Sequence, residues 1–274
     1  MLNKCFANLK SNGALCHNMT NYVTVNECAN ITIAIGASPI MADEIKEVED
    51  VQTICNGLNI NIGTLNERVI ESMLVAGKTA NKCSHPVLLD PVGFSASKYR
   101  TSSSLKLIDN IKFSVIKGNI SEIKSLATGS KSSFGVDACD EDKVKDTNIK
   151  EVVEFAKKLS KSTGAVIVIT GEIDLIAGDK SAIIVRNGDP MMSRITGSGC
   201  MLSSLITAFI SANNDNIFEA AATAVICMGI AGERAALSVK NSNLGSSSFR
   251  THLIDEISKL KEDDIDDRGK YERF

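Results

Sequence analysis

Short apolar runs alternate with longer amphipathic stretches in the middle of the chain. Four runs predict buried strands: GLNINIG (57–63), PVLLDPVG (86–93), FSVIKGN (113–119) and AVIVITG (165–171). Helical spacing of apolar residues predicts helices over three stretches: 65–82, 104–111 and 151–164. Alternation of strand and helix is typical of an α/β fold with a mostly parallel sheet.

The second half of the chain changes from this alternation to helices. Two strand-like runs, 173–178 and 181–188, follow one another without a helix between them, which predicts a hairpin added at the sheet edge. From residue 198 to 261 the pattern is almost entirely helical. The stretch 218–239 is apolar on most faces, as expected for a buried helix or an interface helix.

Two polar segments interrupt or end these patterns. The stretch 128–149 predicts a surface loop, and the charged residues 262–274 predict a solvated tail. No linker rich in Pro, Gly or Ser divides the chain, so we predict a single domain over 1–274.

Composition narrows the class of protein. The chain has 274 residues, 43% of them hydrophobic, and a net charge of -3, which allows a substantial core. Without a basic stripe, a nucleic-acid partner is not expected. No secretory leader and no uninterrupted apolar run of the ~20 residues that span a membrane are evident, so we expect a cytoplasmic protein with no membrane contact. The eight cysteines form no C-x-x-C pair, which disfavours a zinc site.

Polar residues follow the predicted strands where the chain leaves the sheet. Asp90, Lys117 and Thr170 each come after an apolar run, and Glu122 follows shortly after Lys117. Ligands of open α/β sheets bind beyond the carboxyl ends of the strands. Carboxylates suit a hard cation and a lysine suits a phosphate, so the set points to Mg-assisted phosphoryl transfer. Each residue alone also fits a turn, a cap or a surface charge.

The segment RITGSGCMLSSL (194–205) combines glycines and a cysteine at the start of a predicted helix. Gly197 and Gly199 let the backbone approach a ligand closely, and a helix N-terminus attracts an anion. Cys200 stands in the field of that terminus, which favours a reactive thiol. A Walker G-x-x-x-x-G-K-[ST] pattern does not occur, which excludes a P-loop enzyme.

The earlier stretch 18–50 is unusually rich in asparagine. Asn21, Asn26 and Asn30 interrupt an apolar helical pattern, and GASPIMA places Met41 next to Gly, Ser and Pro. A buried amide without a partner costs about 1–3 kcal/mol. We therefore expect these asparagines to bond to the backbone or to a ligand.

Seven stretches, in order from about residue 17 to 210, resemble the hydroxyethylthiazole kinase family of the ribokinase-like superfamily. They are TNYVTVNECAN…GASPIMA, NIGTL, LLDPVG, IKGNISEI, GVDA, VITGEIDLI and ITGSGCMLSSLITAF. The resemblance implies a three-layer αβα fold, with a mostly parallel sheet flanked by helices on both faces. It also implies phosphorylation of the alcohol of hydroxyethylthiazole by ATP, with Mg2+, in thiamine biosynthesis or salvage.

The resemblance assigns roles to nine positions: Met41, Gly197 and Asn21 to substrate binding, Lys117, Thr170 and Gly199 to ATP, Asp90 and Glu122 to Mg2+, and Cys200 to catalysis. Cys200 stands where related sugar kinases carry an aspartate base. Lys117 departs from the arginine common in the family and offers a point charge in place of a bidentate fork, so modestly weaker ATP binding is expected. The resemblance also implies a homotrimer with active sites between subunits, in which the segment around Asn21 and Met41 meets a neighbour's site.

Three other functions compete with this one. A related kinase acting on a hydroxymethylpyrimidine or a sugar would share most of these motifs, although GASPIMA and the cysteine at 200 argue against it. A thiol enzyme could use Cys200 as a covalent nucleophile with His17 as its partner. A thiazole-binding protein without catalysis would bind the alcohol but release no ADP.

Overall fold

A computed structural model describes residues 1–129 and 144–274. Most of the polar stretch 128–149, together with the GVDA motif and Cys139, lies outside the described residues. The strands are β1 (Leu15–Met19), β2 (Ser38–Ile40), β3 (Gly57–Asn61), β4 (Val87–Asp90), β5 (Val115–Asn119), β6 (Val166–Thr170), β7 (Asp174–Ala177), β8 (Ala182–Val185) and β9 (Tyr271–Arg273). The α-helices are α1 (Leu2–Asn12), α2 (Val25–Ile35), α3 (Val48–Ile54), α4 (Glu67–Lys82), α5 (Lys98–Asn110), α6 (Ile120–Gly129), α7 (Ile149–Thr163), α8 (Ser198–Ala212), α9 (Ile217–Asn241), α10 (Ser246–Lys259) and α11 (Asp263–Arg268).

One sheet contains all of these strands, in the order β2-β1-β3-β4-β5-β6-β7-β8-β9. The pairings from β2 to β6 are parallel, and those from β6 to β9 are antiparallel. The mostly parallel sheet and the β7–β8 hairpin are therefore confirmed, but the hairpin does not form the sheet edge, because β9 pairs outside β8. Parallel neighbours need crossover connections, and the intervening helices supply them.

Helices cover both faces of the sheet, which confirms the three-layer αβα arrangement. Leu88 of β4 packs into a core with α1, α2, α8, α9 and α10. Its neighbours Val87 and Leu89 pack into a second core with α4, α5, α6 and α7. Successive strand residues point to opposite faces, so an uninterrupted apolar strand serves both cores at once.

The two longest apolar helices lie in the first core. Every residue of α8 from Met201 to Ile210 is buried, and α8 packs against β1, β3 and β4. The segment Asn214–Asn241, which contains α9, is long and apolar enough to cross a membrane, but 83% of its most apolar window is buried inside this fold. A helix that is apolar all round is expected in the core of a large domain.

The termini contain more regular structure than the pattern predicts. α1, β1 and β2 are absent from the sequence prediction, and α5 begins at Lys98, with Ser97 as its cap, earlier than predicted. Most side chains of 262–274 are exposed, as expected, but the segment is not a free tail. It forms α11, which buries Ile265, and β9, which pairs Tyr271 with Val185.

Candidate active site

The carboxyl ends of the parallel strands bring polar residues to one edge of the sheet. Asn61, at the end of β3, pairs in register with Asp90, at the end of β4. Asn119, at the end of β5, pairs with Thr170, at the end of β6. Adjacent strands lie about 4.8 Å apart, so side chains from these four strands can reach a single ligand.

Asp90 and Lys117 form a buried ion pair at this edge. Lys117 Nζ lies 3.3 Å from Asp90 Oδ2. The same oxygen accepts hydrogen bonds from Ser203 Oγ at 2.6 Å and from Asn61 Nδ2 at 2.9 Å. The other oxygen, Asp90 Oδ1, is buried and has no hydrogen-bond partner in the described part of the chain. The carboxylate therefore retains an oxygen for a further partner.

The charge of Lys117 follows from its surroundings. Burial lowers the pKa of this ammonium group, whereas Asp90, Cys200 and Glu122 raise it, and the net shift is upward from 10.5. Lys117 therefore remains protonated at neutral pH. Its Nζ also donates to the carbonyl oxygen of Gly199 at 3.1 Å, which links the sheet to the first turn of α8.

Cys200 lies in the first turn of α8 and is half-buried. Its Sγ accepts a hydrogen bond from Asn21 Nδ2 at 3.2 Å and another from Asn61 Nδ2 at 3.4 Å. Because Asn61 also donates to Asp90, the thiol and the buried ion pair share a neighbour. The structure thus brings together the predicted residues Asn21, Asp90, Lys117 and Cys200.

The two glycines of the segment fit tight positions. Gly197 precedes α8 with a φ of 84°, and a Cβ there would lie 2.4 Å from Thr24 Cγ2. A Cβ on Gly199 would lie 3.0 Å from Lys117 Nζ. Among the described residues no side chain caps α8, so its first N–H groups are available to an anion.

Glu122 is held close to Lys117 by backbone donors. Its two carboxylate oxygens accept from Gly93 N at 2.8 Å and from Asn119 N at 2.9 Å. Asn119 Oδ1 in turn accepts from Glu122 N at 2.9 Å, so the two residues form a reciprocal cap at the start of α6. A Cβ on Gly118 would lie 3.0 Å from Glu122 Oε2, which shows how closely this carboxylate approaches β5.

Thr170 ends β6, beside the end of β5 and on the side away from β4. Its Oγ1 donates to Gly118 O at 3.5 Å, and the turn after it is closed by a 2.9 Å hydrogen bond from Gly171 N to Asp174 Oδ1. Burial raises the pKa of Asp174 to about 7, even though Gly171 and Lys117 both favour the ionised form. Glu122 and Thr170 therefore flank the backbone that follows Lys117.

Met41 lies on a separate segment, just after the edge strand β2, and is half-buried. His17 Nε2 donates to the carbonyl oxygen of Ala42 at 2.9 Å, which fixes the backbone beside Met41. His17 Nδ1 lies 3.0 Å from the side-chain amide of Gln52. Among the described residues no hydrogen bond joins Met41 to Cys200.

The asparagines expected to need partners, Asn21, Asn26 and Asn30, differ in their surroundings. Asn21 is buried, and its Oδ1 accepts from the backbone of Val23 and Thr24, both at 3.1 Å. Asn26 and Asn30 are exposed and bond to each other at 2.9 Å. The resemblance placed the segment around Asn21 at a neighbour's site, whereas here Asn21 donates to the sulfur of its own chain.

Sequence reasoning missed Asn61, Ser203 and Arg100. Arg100 donates to the carbonyl oxygens of Ile62 and Gly63, both at 2.7 Å, and so fixes the loop after β3. The signal for Asn61 was present, because a polar residue within a buried strand needs a partner. Ser203 lies one helical turn beyond Cys200, where its side chain shares a face with the thiol.

Comparisons with known proteins identify the family of the chain. The model of the hydroxyethylthiazole kinase family matches residues 6–263. A hydroxyethylthiazole kinase of Clostridium acetobutylicum is 56% identical over 274 residues, covering all of both chains, and that of Clostridium tetani is 51% identical, covering 96% of this chain and 94% of the relative.

Solved structures share the fold of the chain. The hydroxyethylthiazole kinase protein of Pyrococcus horikoshii matches with a TM-score of 0.88 and 29% identity, covering 100% of this chain and 98% of that one. A ribokinase-like superfamily protein of Enterococcus faecalis matches with a TM-score of 0.61 and 13% identity, covering 91% and 88%, and shows the shared fold. The chain belongs to the hydroxyethylthiazole kinase family, with a ribokinase-like fold.

Proposed function

We propose that the chain transfers the γ-phosphoryl group of ATP to the hydroxyl group of hydroxyethylthiazole, in thiamine biosynthesis or salvage. The observation that carries the proposal is the position of Cys200. Its sulfur lies in the first turn of α8, which no described side chain caps, and it shares Asn61 with the buried Asp90–Lys117 pair. The family supports the choice of substrate and reaction.

Cys200 is the general base of this mechanism. Its sulfur takes the proton of the alcohol while the alcohol oxygen attacks the γ-phosphorus. The bond from that phosphorus to the bridging oxygen breaks, ADP leaves, and the thiol later gives its proton to water. Phosphoryl transfer depends mainly on positioning and charge neutralisation, so a thiolate suffices as base.

ATP occupies the strand ends below α8 in this proposal. The N–H groups around Gly199 face the transferred phosphoryl group, since a helix N-terminus favours negative charge. Lys117 supplies a fixed positive charge at the same point, 3.1 Å from the Gly199 carbonyl. Thr170, on the neighbouring strand, contacts the nucleotide.

Mg2+ is assigned to Asp90 and Glu122. The buried Asp90 Oδ1 without a partner fits a hard cation or its water ligand. Both oxygens of Glu122 already accept backbone hydrogen bonds, so this residue acts through water. No three His, Cys, Asp or Glu side chains cluster in residues 1–129 and 144–274, which suits an ion held largely by phosphates and water. When bound, the ion neutralises charge on the phosphate oxygens.

Met41, Gly197 and Asn21 are assigned to the thiazole side of the site. Because Met41 lies at the sheet edge, we propose a homotrimer in which Met41 completes a site at the subunit interface. Exposed apolar side chains near α2 support such an interface: Tyr22 is 77% exposed, Val23 54% and Ile33 59%. We further propose that the protein is cytoplasmic.

A covalent thiol mechanism has less support. It would need a histidine bonded to Cys200. Both ring nitrogens of His17 instead contact Gln52 and Ala42. The hydrogen bonds from asparagine stabilise a thiolate at Cys200, but an amide cannot protonate the leaving group of a covalent mechanism.

ADP release in the presence of hydroxyethylthiazole tests the proposal directly, with and without Mg2+. We expect release only when the thiazole alcohol, ATP and Mg2+ are all present, together with a thiazole phosphate detected by mass spectrometry. A hydroxymethylpyrimidine and a sugar serve as competing alcohols. Preferential turnover of either would overturn the assignment, and thiazole binding without ADP release would indicate a binding protein.

A further inference from the structure

The hydrogen bonds around Cys200 fix the orientation of two side-chain amides. Asp90 is a carboxylate beside a charged lysine, so it can only accept hydrogen bonds. Asn61 must therefore turn Nδ2 toward Asp90, at 2.9 Å. The amide oxygen supports the same orientation, because Asn61 Oδ1 accepts a hydrogen bond from Gly63 N, also at 2.9 Å.

Asn21 is oriented by the same logic. Its Oδ1 accepts from three donors: Val23 N, Thr24 N and Thr24 Oγ1, each at 3.1 Å. Its Nδ2 donates to Asn61 Oδ1, also at 3.1 Å. A flipped amide would place NH2 against two backbone N–H groups, so the reverse orientation is excluded.

Each Nδ2 has one further hydrogen, and both of these hydrogens point at the same sulfur. Asn21 Nδ2 lies 3.2 Å from Cys200 Sγ, and Asn61 Nδ2 lies 3.4 Å from it. Two donors aimed at one sulfur stabilise negative charge on it more than they stabilise the neutral thiol.

We propose that Asn21 and Asn61 form an amide clamp, a pair of positioning residues that holds Cys200 as a hydrogen-bond acceptor and stabilises its thiolate. The inference rests on the proposed function, in which that thiolate is the base. It changes the role expected of Asn21, which was direct binding of the substrate. Both hydrogens of its amide already bond to Asn61 and Cys200, so Asn21 acts through the sulfur rather than on the alcohol. Among the described residues, the other charged or titratable neighbours of the sulfur are Lys117 from β5 and Cys28 from α2, and neither is substituted in the clamp variants.

The clamp is tested by the pH profile of Cys200 alkylation. Iodoacetamide modification is followed at the Cys200 peptide by mass spectrometry, so the other cysteines do not interfere. Asn21→Ala and Asn61→Ala should each move the midpoint of the profile upward by about one pH unit. A change in accessibility alone would scale the whole rate without moving the midpoint.

Asn59→Ala is the matched control. Asn59 is also buried on β3, two residues earlier, but it donates to Asn18 Oδ1 at 3.0 Å and to Ser204 Oγ at 3.3 Å. Its midpoint should equal that of the parent. Unmoved midpoints in both clamp variants would overturn the proposal. If Asn61→Ala does not fold, Asn21→Ala decides, because Asn21 lies outside the sheet.

Kinase activity separates the clamp from a direct contact with substrate. Asn21→Ala should lower kcat about tenfold in the parent but have little effect in a Cys200→Ala background, since the clamp acts through the sulfur. An equal loss of kcat in both backgrounds would overturn the clamp and indicate that Asn21 contacts the substrate directly. The alkylation profile needs no substrate, so it decides the clamp even if the chain releases no ADP. Full activity of Cys200→Ala would reject the base and leave the alkylation result standing.

Discussion

Lys117 and Asp90 face each other from neighbouring strands, with Nζ and Oδ2 3.3 Å apart and their side chains only 5% and 1% exposed. Such a pair stabilises little in total, because both charges leave water. Losing one partner is costly, since the remaining charge stays buried. The pair therefore serves as a fixed point that ties the strand ends to Gly199 and the first turn of α8.

Asp90→Asn should lower the free energy of unfolding by about 3 kcal/mol, because it leaves the Lys117 ammonium beside a neutral amide. Kinase activity should also fall by at least about tenfold through the loss of charge at the strand ends. Urea unfolding and ADP release measure the two effects. Glu154→Gln, which breaks the pair between the exposed Glu154 and the half-buried Lys157, is the control and should change stability by less than about 1 kcal/mol. Equal unfolding curves for Asp90→Asn and the parent would contradict the buried-charge argument.

Substitutions of Cys200 test the base. Cys200→Asp should keep or raise kcat, because a carboxylate is ionised at neutral pH and accepts the same two amide donors. Cys200→Ala should lower kcat about a hundredfold, within the range of general-base contributions, while both substrates still bind. Steady-state kinetics and calorimetric titration separate the two quantities. An alanine variant with the parental kcat would show that the thiol is not the base.

The sequence predicts the parts of the fold whose signals are local. The strands that carry Leu89, Ile116 and Ile167 are apolar without interruption, so they stand out from the amphipathic helices between them. β1 does not, because His17 and Asn18 are polar and buried. Their partners, Gln52 and Asn59, lie far along the chain, and a local pattern contains no trace of them.

The site divides in the same way. Asp90, Lys117 and Thr170 are predictable because parallel strands release their carboxyl ends at one edge. The contacts of Asn61 depend on β3 lying next to β4, and those of Ser203 depend on the rotation of α8 above them. Neither the strand order nor the helix rotation follows from residue spacing, so the contacts of Asn61 and Ser203 could be found only from the structure.

Gly197→Ala should displace the start of α8 from α2. The new Cβ would lie 2.4 Å from Thr24 Cγ2, on a residue whose φ of 84° already disfavours a side chain. We expect a loss of about 2–3 kcal/mol in the free energy of unfolding and a fall of more than about tenfold in kcat, because Cys200 moves with the turn. Chemical unfolding and steady-state kinetics measure the change.

Two further variants separate strain from collision. Gly164 has a similar positive φ, 71°, but a Cβ there would meet no described atom within 4 Å. Gly164→Ala should cost only about 1 kcal/mol and leave kcat unchanged. Thr24→Ser removes Cγ2 and should restore part of the kcat lost in Gly197→Ala. A failure of this rescue would place the damage in backbone strain rather than in the contact with α2.

His17 makes the stability of the fold depend on pH. Burial lowers the pKa of its imidazole below 6.5, against the opposing hydrogen bonds to Ala42 and Gln52. Well above pH 6.5 the imidazole is neutral in both the folded and the unfolded chain, so His17 contributes no pH dependence there. Below 6.5 the unfolded chain binds a proton that the folded chain does not, so the free energy of unfolding falls by up to about 1.4 kcal/mol per pH unit.

His17→Asn, compared with the parent by urea unfolding at about pH 7.5 and about pH 5.5, should show a smaller fall over this interval. Asp174, whose pKa burial raises, is present in both proteins and cancels in the comparison. The pKa of His85, which burial also lowers, cancels as long as Gln52 keeps its hydrogen bond to His85. Parallel losses in the two proteins would mean that His17 takes up its proton equally well in the folded state.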